Sequence, residues 1–143
     1  RKYYKNVALT TDIIVGFPGE TDEEFNKTYE FLKKINFYQM HIFKYSPRKG
    51  TKAAVMPNQI DGNIKEQRST KLIELSHNNE IKYNEKEVGK ELEVLWEEKE
   101  GDYIKGHTKN YKVVKIPYKN IENTISKAKI EKVEKLELIG VES

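Results

Sequence analysis

A stretch at residues 103–121 carries the residue types that bind nucleic acid. It is rich in lysine and tyrosine and contains no Asp or Glu, although acids flank it on both sides. Ammonium groups neutralise phosphates, and tyrosine rings offer stacking surfaces for unpaired bases. The alternative is a solvated strand face with lysines outward and tyrosines inward. The residues concerned are Tyr103, Lys105, His107, Lys109, Tyr111, Lys112, Lys115, Tyr118 and Lys119.

A second candidate site lies where two predicted strands end. The first strand runs into Gly16-Phe17-Pro18-Gly19-Glu20, and the second ends at Tyr45-Ser46. Cofactor sites in parallel α/β folds lie at the carboxyl ends of strands, and glycine lets a ligand approach the backbone closely. The spacing is not that of a phosphate-binding P-loop. The alternative is a pair of ordinary connecting turns.

The elements that would position this second site form a strand, a helix and a strand. Residues 7–15 are apolar and β-branched, which favours a strand buried on both faces of a parallel sheet. Thr21 and Glu24 have the spacing of a capping box, and apolar residues then recur on one helical face. Residues 40–45 are predicted to be the second strand. A right-handed βαβ unit follows from this order.

The remaining chain is predicted to be a connecting helix and a small barrel. We expect three parts: residues 1–60 with the βαβ unit, residues 61–88 as the connecting helix, and residues 89–143 with about five short strands. Alternation of apolar and charged residues from Leu92 to Glu97 has the period of a strand. The segment 128–141 is ambiguous, since Ile130, Val133 and Leu136 also have helical spacing. The predicted fold class is α+β, with an OB-like antiparallel β-barrel.

Composition excludes several kinds of chemistry. The 143 residues include 26 Lys and Arg against 23 Asp and Glu, a net charge of +3, and no cysteine. Thiolate nucleophiles, disulfides and cysteine-ligated metals are therefore absent from the chain. The three histidines are far apart, which argues against a metal site. Asp12 lies in a predicted buried strand, where a structural and a catalytic role are equally open.

The cellular setting is also an expectation from the sequence. No apolar run approaches the length of a membrane span, and no signal peptide opens the chain, which favours the cytoplasm. The chain begins at Arg1 rather than at a methionine. We interpret it as a piece of a longer protein, separated by cloning or by proteolysis.

Two long motifs resemble the radical SAM methylthiotransferases. Residues 10–25, TTDIIVGFPGETDEEF, and residues 41–51, HIFKYSPRKGT, are similar to the late part of the radical SAM barrel in that family. Residues 94–97, VLWE, and 106–111, GHTKNY, look like the TRAM domain that ends those enzymes. Residues 106–113 look most like the branch that modifies N6-threonylcarbamoyladenosine in tRNA. Related branches act on isopentenyladenosine in tRNA or on an aspartate of a ribosomal protein.

The resemblance implies cofactors, a partner and site residues. The full enzyme would use S-adenosylmethionine and two 4Fe-4S clusters, and the TRAM barrel would hold the tRNA anticodon arm. Cofactor contacts would come from the two strand ends, and RNA contacts from the barrel. The implied cofactor-binding residues are Gly16, Phe17, Pro18, Gly19, Glu20, Tyr45 and Ser46. The implied RNA-binding residues are Tyr103, Lys105, His107, Lys109, Asn110, Tyr111 and Lys112.

The missing cysteines limit what this chain does alone. The family's CxxxCxxC motif is not present, so we expect no bound cluster or cofactor and no catalysis by the isolated chain. The βαβ piece would lack neighbouring strands, which predicts unpaired edges and an exposed apolar face. Homodimerisation, domain swapping or partial rearrangement of residues 1–60 is therefore expected. The missing N-terminal portion of the same enzyme is the expected partner of this piece. A non-catalytic RNA-binding module and a protein-interaction domain are the rival interpretations.

Overall fold

The computed structural model describes Tyr3 and residues 7–143. The start of the predicted first part, at residues 1, 2 and 4–6, lies outside the described residues. The chain divides into two compact units, one ending at Asn79 and the other covering Glu80–Ser143. The division falls within the second helix, so the predicted connector does not form a separate unit. No helix in the described part combines the length and the apolar character needed to cross a membrane.

The first unit contains the predicted βαβ arrangement. Strand β1 (Thr10–Val15) pairs in parallel with β2 (Gln39–Lys44), and helix α1 (Asp22–Ile35) connects them. The capping box is confirmed. Glu24 donates its amide to the Thr21 hydroxyl at 3.1 Å, and the Thr21 amide donates to the Glu24 carboxylate at 3.3 Å. These bonds satisfy amide groups that the first helical turn leaves unpaired.

One face of the two-stranded sheet is covered and the other is exposed. A short 3-10 helix (Ala53–Val55) and helix α2 (Gly62–Glu85) follow β2. Leu72 and Leu75 of α2 help to cover the buried face. The core of this unit consists of Val15, Phe25, Leu32, Met40, Leu72 and Leu75.

The opposite face corrects the prediction that β1 is buried on both sides. Ile14 is 60% exposed, and its register partner Phe43 is 53% exposed. Asp12, predicted to lie in a buried strand, is also exposed. The sheet has two strands, and within the described residues no other parallel strand joins them, so no radical SAM barrel is formed. The apolar composition of β1 is typical of a sheet covered on both faces, and this unit supplies one cover.

The second unit is a closed five-stranded barrel in the order β3-β4-β5-β7-β6. Its strands are β3 (Glu91–Glu100), β4 (Tyr103–Thr108), β5 (Val113–Pro117), β6 (Ile125–Glu134) and β7 (Glu137–Glu142). The ambiguous segment therefore forms strands. The barrel is not wholly antiparallel as predicted, because β5 and β7 pair in parallel at the closure.

The barrel core follows the predicted alternation along β3. Val94 and Trp96 are fully buried, while their neighbours Glu93, Leu95 and Glu97 are exposed. Because strand side chains alternate between faces, β3 sends one set into the core and a mostly acidic set outward. The buried set of the whole barrel is Val94, Trp96, Ile104, Val114, Ile116, Ala128, Ile130 and Leu138.

Candidate functional site

The turn between β4 and β5 displays Tyr111. The Thr108 amide donates to the Lys112 carbonyl at 3.0 Å, and the Tyr111 amide donates to the Thr108 carbonyl at 3.0 Å. These bonds hold Tyr111 at a φ of 62°, in the left-handed region that non-glycine residues adopt at a cost of roughly 1–2 kcal/mol. The Tyr111 side chain is 83% exposed. The turn thus holds an aromatic ring in solvent, where it gains little from burial.

A shallow cavity of about 480 Å³ lies beside this turn on the outer surface of the barrel. Its walls combine two exposed apolar side chains with the aromatic ring, and charged groups stand around them. This combination suits a flat ring that bears or adjoins a charged group. The lining residues are Glu93, Leu95, Glu97, His107, Thr108, Lys109, Tyr111 and Ile125.

The structure brings only some of the predicted RNA-binding residues together. His107, Lys109 and Tyr111 line the cavity, and Asn110 accepts a hydrogen bond from the Thr108 hydroxyl within the turn. Tyr103 and Lys105 lie on the earlier part of β4 and are not among the lining residues. Leu95 and Ile125 are cavity residues that the sequence analysis missed. The alternation of side chains along β3 and β6 places both residues on the outer face and could have identified them.

The lysines of residues 103–121, a stretch that itself contains no Asp or Glu, are each paired with a carboxylate from elsewhere in the chain. Neighbouring strands and loops supply the acids, so the charge excess seen along the sequence is largely neutralised in space. The paired atoms lie 2.7–3.3 Å apart. The pairs are Lys105 with Glu98, Lys109 with Glu93, Lys112 with Glu87, Lys115 with Glu100 and Glu137, and Lys119 with Glu142.

Three of the paired groups have pKa values shifted toward their charged forms. The hydrogen bond to Glu98 raises the pKa of Lys105, and hydrogen bonds to Glu100 and Glu137 raise the pKa of Lys115. The hydrogen bond from Lys115 holds the pKa of the Glu100 carboxyl below its usual value. Each of these shifts favours the charged form of Lys105, Lys115 or Glu100.

Lys112 is a buried lysine, contrary to its predicted place on an RNA-facing surface. Its side chain is 2% exposed, and its ammonium lies 3.0 Å from a carboxylate oxygen of buried Glu87. It also donates to the Tyr83 carbonyl at 3.4 Å. Because its ammonium is engaged within the protein, Lys112 does not present its charge to a phosphate.

The two strand ends meet at one rim, as predicted. The Tyr45 amide donates to the Val15 carbonyl at 2.8 Å, and the rings of Phe17 and Tyr45 lie edge to face with centroids 5.5 Å apart. Beside Tyr45 is a cavity of about 420 Å³. Its lining residues are Ile14, Phe43, Lys44, Tyr45, Ser46, Arg48, Thr51 and Ala53.

The predicted cofactor-binding residues divide between this cavity and the support behind it. Tyr45 and Ser46 line the cavity, whereas none of the residues Gly16, Phe17, Pro18, Gly19 and Glu20 does. The Glu20 carboxylate is engaged within the protein. It accepts from the Gly16 amide at 3.0 Å and lies 2.7 Å from the guanidinium of Arg68.

Arg68 and Lys65 of α2 hold the strand-end loop, and the sequence analysis missed both. Buried Arg68 contacts the carboxylates of Glu20 and Asp22 at 2.7 and 2.9 Å, and Lys65 donates to the Tyr45 carbonyl at 3.0 Å. Arg68 is one of only three arginines in a chain that otherwise uses lysine. The planar guanidinium of arginine can contact two carboxylates at once. The rarity of arginine in this chain could therefore have drawn attention to Arg68.

Gly16→Ala is expected to destabilise the first unit more than Gly19→Ala. Both glycines have positive φ, at 75° and 87°, so both substitutions carry a backbone cost of roughly 1–2 kcal/mol. Only at Gly16 would the added methyl group meet another side chain, lying 2.2 Å from Cγ of Lys65. Urea unfolding of both variants measures the difference.

The contact with Lys65 is tested separately from the backbone cost. Combining Gly16→Ala with Lys65→Ala should bring its destabilisation, measured against Lys65→Ala alone, close to that of Gly19→Ala. Equal loss for Gly16→Ala and Gly19→Ala in the presence of Lys65 would show that the side-chain contact costs nothing.

Among the described residues, no three His, Asp or Glu side chains lie close enough to form a metal site. The described residues offer two candidate surfaces, a rim with a partly apolar cavity and a barrel cavity with a displayed tyrosine.

Comparison with known proteins shows homology over most of the chain. It is 41% identical over 132 residues to the threonylcarbamoyladenosine tRNA methylthiotransferase MtaB of Bacillus subtilis. It is 43% identical over 118 residues to the tRNA-2-methylthio-N(6)-dimethylallyladenosine synthase of Ehrlichia ruminantium, and 42% identical over 113 residues to the synthase of the same name from Caldicellulosiruptor saccharolyticus. No protein-family model matches the chain.

The matches cover much of this chain and a small part of each relative. They span 89%, 82% and 78% of the chain, but only 29%, 25% and 24% of the three relatives. The chain therefore corresponds to about a quarter of the length of the curated relatives it matches. The resemblance to the methylthiotransferases found in the sequence is thereby confirmed.

Proposed function

Because the chain belongs, as a homologous part, with the tRNA methylthiotransferases, we propose that it supplies tRNA binding and part of a cofactor rim to such an enzyme. The parent would add a methylthio group to N6-threonylcarbamoyladenosine beside the anticodon. The barrel would be its TRAM domain and the βαβ unit a late piece of its radical SAM barrel. The observation that carries the tRNA-binding role is the exposed Tyr111 beside the barrel cavity.

The barrel cavity has the features that a single unpaired base needs. Leu95 and Ile125 offer apolar contact, and Tyr111 offers a ring for stacking. Stacking on an aromatic side chain contributes about 1–3 kcal/mol per base and tolerates any base. Lys109, which is exposed at the same cavity, can approach a phosphate once it leaves Glu93. Because the lysines are paired, stacking would supply more of the affinity than charge.

The exposed face of the two-stranded sheet supports its assignment to a larger parallel sheet. Ile14 and Phe43 lie side by side on this face, and β1 and β2 each leave one edge unpaired among the described residues. Parallel sheets are normally covered on both faces. We propose that the missing N-terminal portion of the enzyme supplies the adjoining strands.

The rim fits part of a nucleoside-bearing cofactor such as S-adenosylmethionine. The Tyr45 hydroxyl is a buried oxygen with no hydrogen-bond partner among the described residues, and Tyr45 lines the same cavity as Phe43 and Ser46. Phe43 offers an aromatic face, and the Ser46 hydroxyl offers hydrogen bonds. Together these groups would hold the adenosine part. Arg68 and Glu20 would keep the supporting loop in place without contacting the adenosine.

The radical chemistry itself would lie outside this chain. When bound beside an iron–sulfur cluster, S-adenosylmethionine supplies the radical that such enzymes use. Two 4Fe-4S clusters would be ligated by cysteines of the missing portion, since this chain has none. The 143 residues alone would bind RNA without catalysis. The cytoplasm, where tRNA is found, is the proposed location.

A second substrate is supported by the names of two relatives. The Ehrlichia and Caldicellulosiruptor proteins are named for dimethylallyladenosine rather than for threonylcarbamoyladenosine. The two nucleosides differ in charge, because one carries a carboxylate and the other an apolar chain. Anticodon stem-loops bearing each nucleoside separate the two possibilities by their affinity for the chain.

Tyr111→Ala is expected to weaken binding of an anticodon stem-loop about tenfold, the loss of one stacked base. Fluorescence anisotropy with a labelled stem-loop measures the dissociation constant. Tyr118→Ala is the matched control, because Tyr118 is exposed on the same barrel and lies outside the cavity. Equal affinity of the wild type and Tyr111→Ala would refute the RNA-binding role of the cavity. It would favour the protein-interaction interpretation.

A further inference from the structure

The cavity beside Tyr111 contains its own carboxylates. Glu93 lies 3.2 Å from the Lys109 ammonium, and Glu97 lies 2.9 Å from Nδ1 of His107. All four residues line the cavity. Two basic groups that would meet a phosphate thus already have an anionic partner from β3.

The position of these carboxylates follows from strand geometry. Glu93 and Glu97 are on the outward face of β3, on either side of Leu95, and β3 pairs with β4 so that Leu95 is opposite His107. The barrel register therefore places an acidic row against the basic residues of β4 and its turn. An RNA phosphate must displace a carboxylate to reach Lys109.

We propose that Glu93 is a specificity-determining residue that suppresses binding of the RNA backbone as such. This inference rests on the proposed RNA-binding function and deepens it. The Lys109–Glu93 pair is exposed, so its net energy is small and a well-placed phosphate can replace the carboxylate. A randomly placed phosphate gains little by the exchange. Binding then depends more on contacts to bases at the cavity, of which stacking on Tyr111 is one, than on the backbone.

Phosphate contacts carry no sequence information, whereas contacts to bases do. A carboxylate that weakens only the phosphate contacts therefore raises the ratio of specific to non-specific affinity. Glu97 is placed to act in the same sense on His107 through its 2.9 Å contact.

The test compares Glu93→Gln with Glu131→Gln in the 143-residue chain. Both variants change the net charge equally, and Glu131 is exposed on β6 and is not a cavity residue. The probes are poly(U), which represents a non-specific backbone, and the modified anticodon stem-loop. Dissociation constants are measured by anisotropy over a range of salt concentrations.

Glu93→Gln is expected to bind poly(U) about two- to fivefold more tightly than the wild type does, the range of one exposed charge contact. The slope of log K against log salt should steepen by about 0.7, the value for one freed lysine on a single strand. The stem-loop affinity should change less, so the specificity ratio falls. Glu131→Gln should change neither the slope nor the ratio.

The outcomes separate this inference from the proposed function. A preference for the stem-loop in the wild type, with Glu93→Gln behaving like Glu131→Gln, would overturn the role of Glu93 alone. Tighter poly(U) binding by Glu93→Gln, without any stem-loop preference in the wild type, would support the suppression of backbone binding and overturn the tRNA function. Loss of affinity for poly(U) in Glu93→Gln would also overturn the inference.

Discussion

Replacing Trp96 with alanine is expected to destabilise the barrel by about 3–5 kcal/mol, the usual cost of removing a large aromatic side chain from a core. Trp96 is fully buried and belongs to the barrel core. Its indole Nε1 also donates to the Ser126 hydroxyl at 2.8 Å, so the substitution leaves both a cavity and an unmade hydrogen bond. Small domains have a total stability of about 5–15 kcal/mol. Much of the barrel would therefore unfold at moderate temperature.

Leu95→Ala is the matched control for this result. Leu95 is the preceding residue on the same strand, but its side chain is on the outer surface at the cavity. Its loss should cost much less stability, because surface substitutions are usually within about 0.5 kcal/mol. Urea unfolding followed by tryptophan fluorescence suits Leu95→Ala, and far-UV circular dichroism serves both variants. Similar losses at the two positions would contradict the inward and outward assignment along β3.

Replacing Glu87 with alanine is expected to cost about 3–5 kcal/mol, because it removes the carboxylate from a buried lysine. Lys112 is 2% exposed, and its ammonium is 3.0 Å from Glu87. A buried charge without its counter-charge is expensive, whereas removing both charges is often nearly neutral. The double variant Glu87→Leu with Lys112→Met should thus be more stable than Glu87→Ala.

An exposed pair in the same barrel gives the comparison. Lys109 and Glu93 are 3.2 Å apart, almost the same separation, but both are exposed. Glu93→Ala should cost no more than about 1 kcal/mol, because solvent screens the pair. Thermal unfolding of the four proteins provides the ranking. A cost for Glu87→Ala as small as that for Glu93→Ala would show that Lys112 is hydrated despite its burial.

The two pairs also divide the predicted RNA-binding lysines by role. Lys112 is part of the barrel's internal structure, while Lys109 is exposed at the cavity beside Tyr111. Lys112→Met would reduce RNA binding only by unfolding the barrel, and Lys109→Met would reduce it in a folded protein. Stability measurements are therefore needed to interpret a loss of binding in either variant.

Local patterns in the sequence determined the elements of this protein. The capping box at Thr21 needs only residues three positions apart, so it could be read directly. The alternation along β3 fixed which residues enter the core, because side chains of a strand alternate between its faces. The spacing in the segment 128–141 fits both a strand and a helix, and the barrel decided between them, because β6 pairs with β3 and β7 and β7 pairs with β5.

The tertiary structure decided the electrostatics and the surroundings of both candidate sites. The carboxylates that neutralise residues 103–121 come from other strands and loops, and only the barrel register brings Glu98 opposite Lys105. The burial of Lys112 and the contact of Arg68 with Glu20 likewise join positions 25 and 48 residues apart. A sequence pattern reports the neighbours of a residue along the chain. Charge and burial depend on neighbours in space, and the fold supplies those.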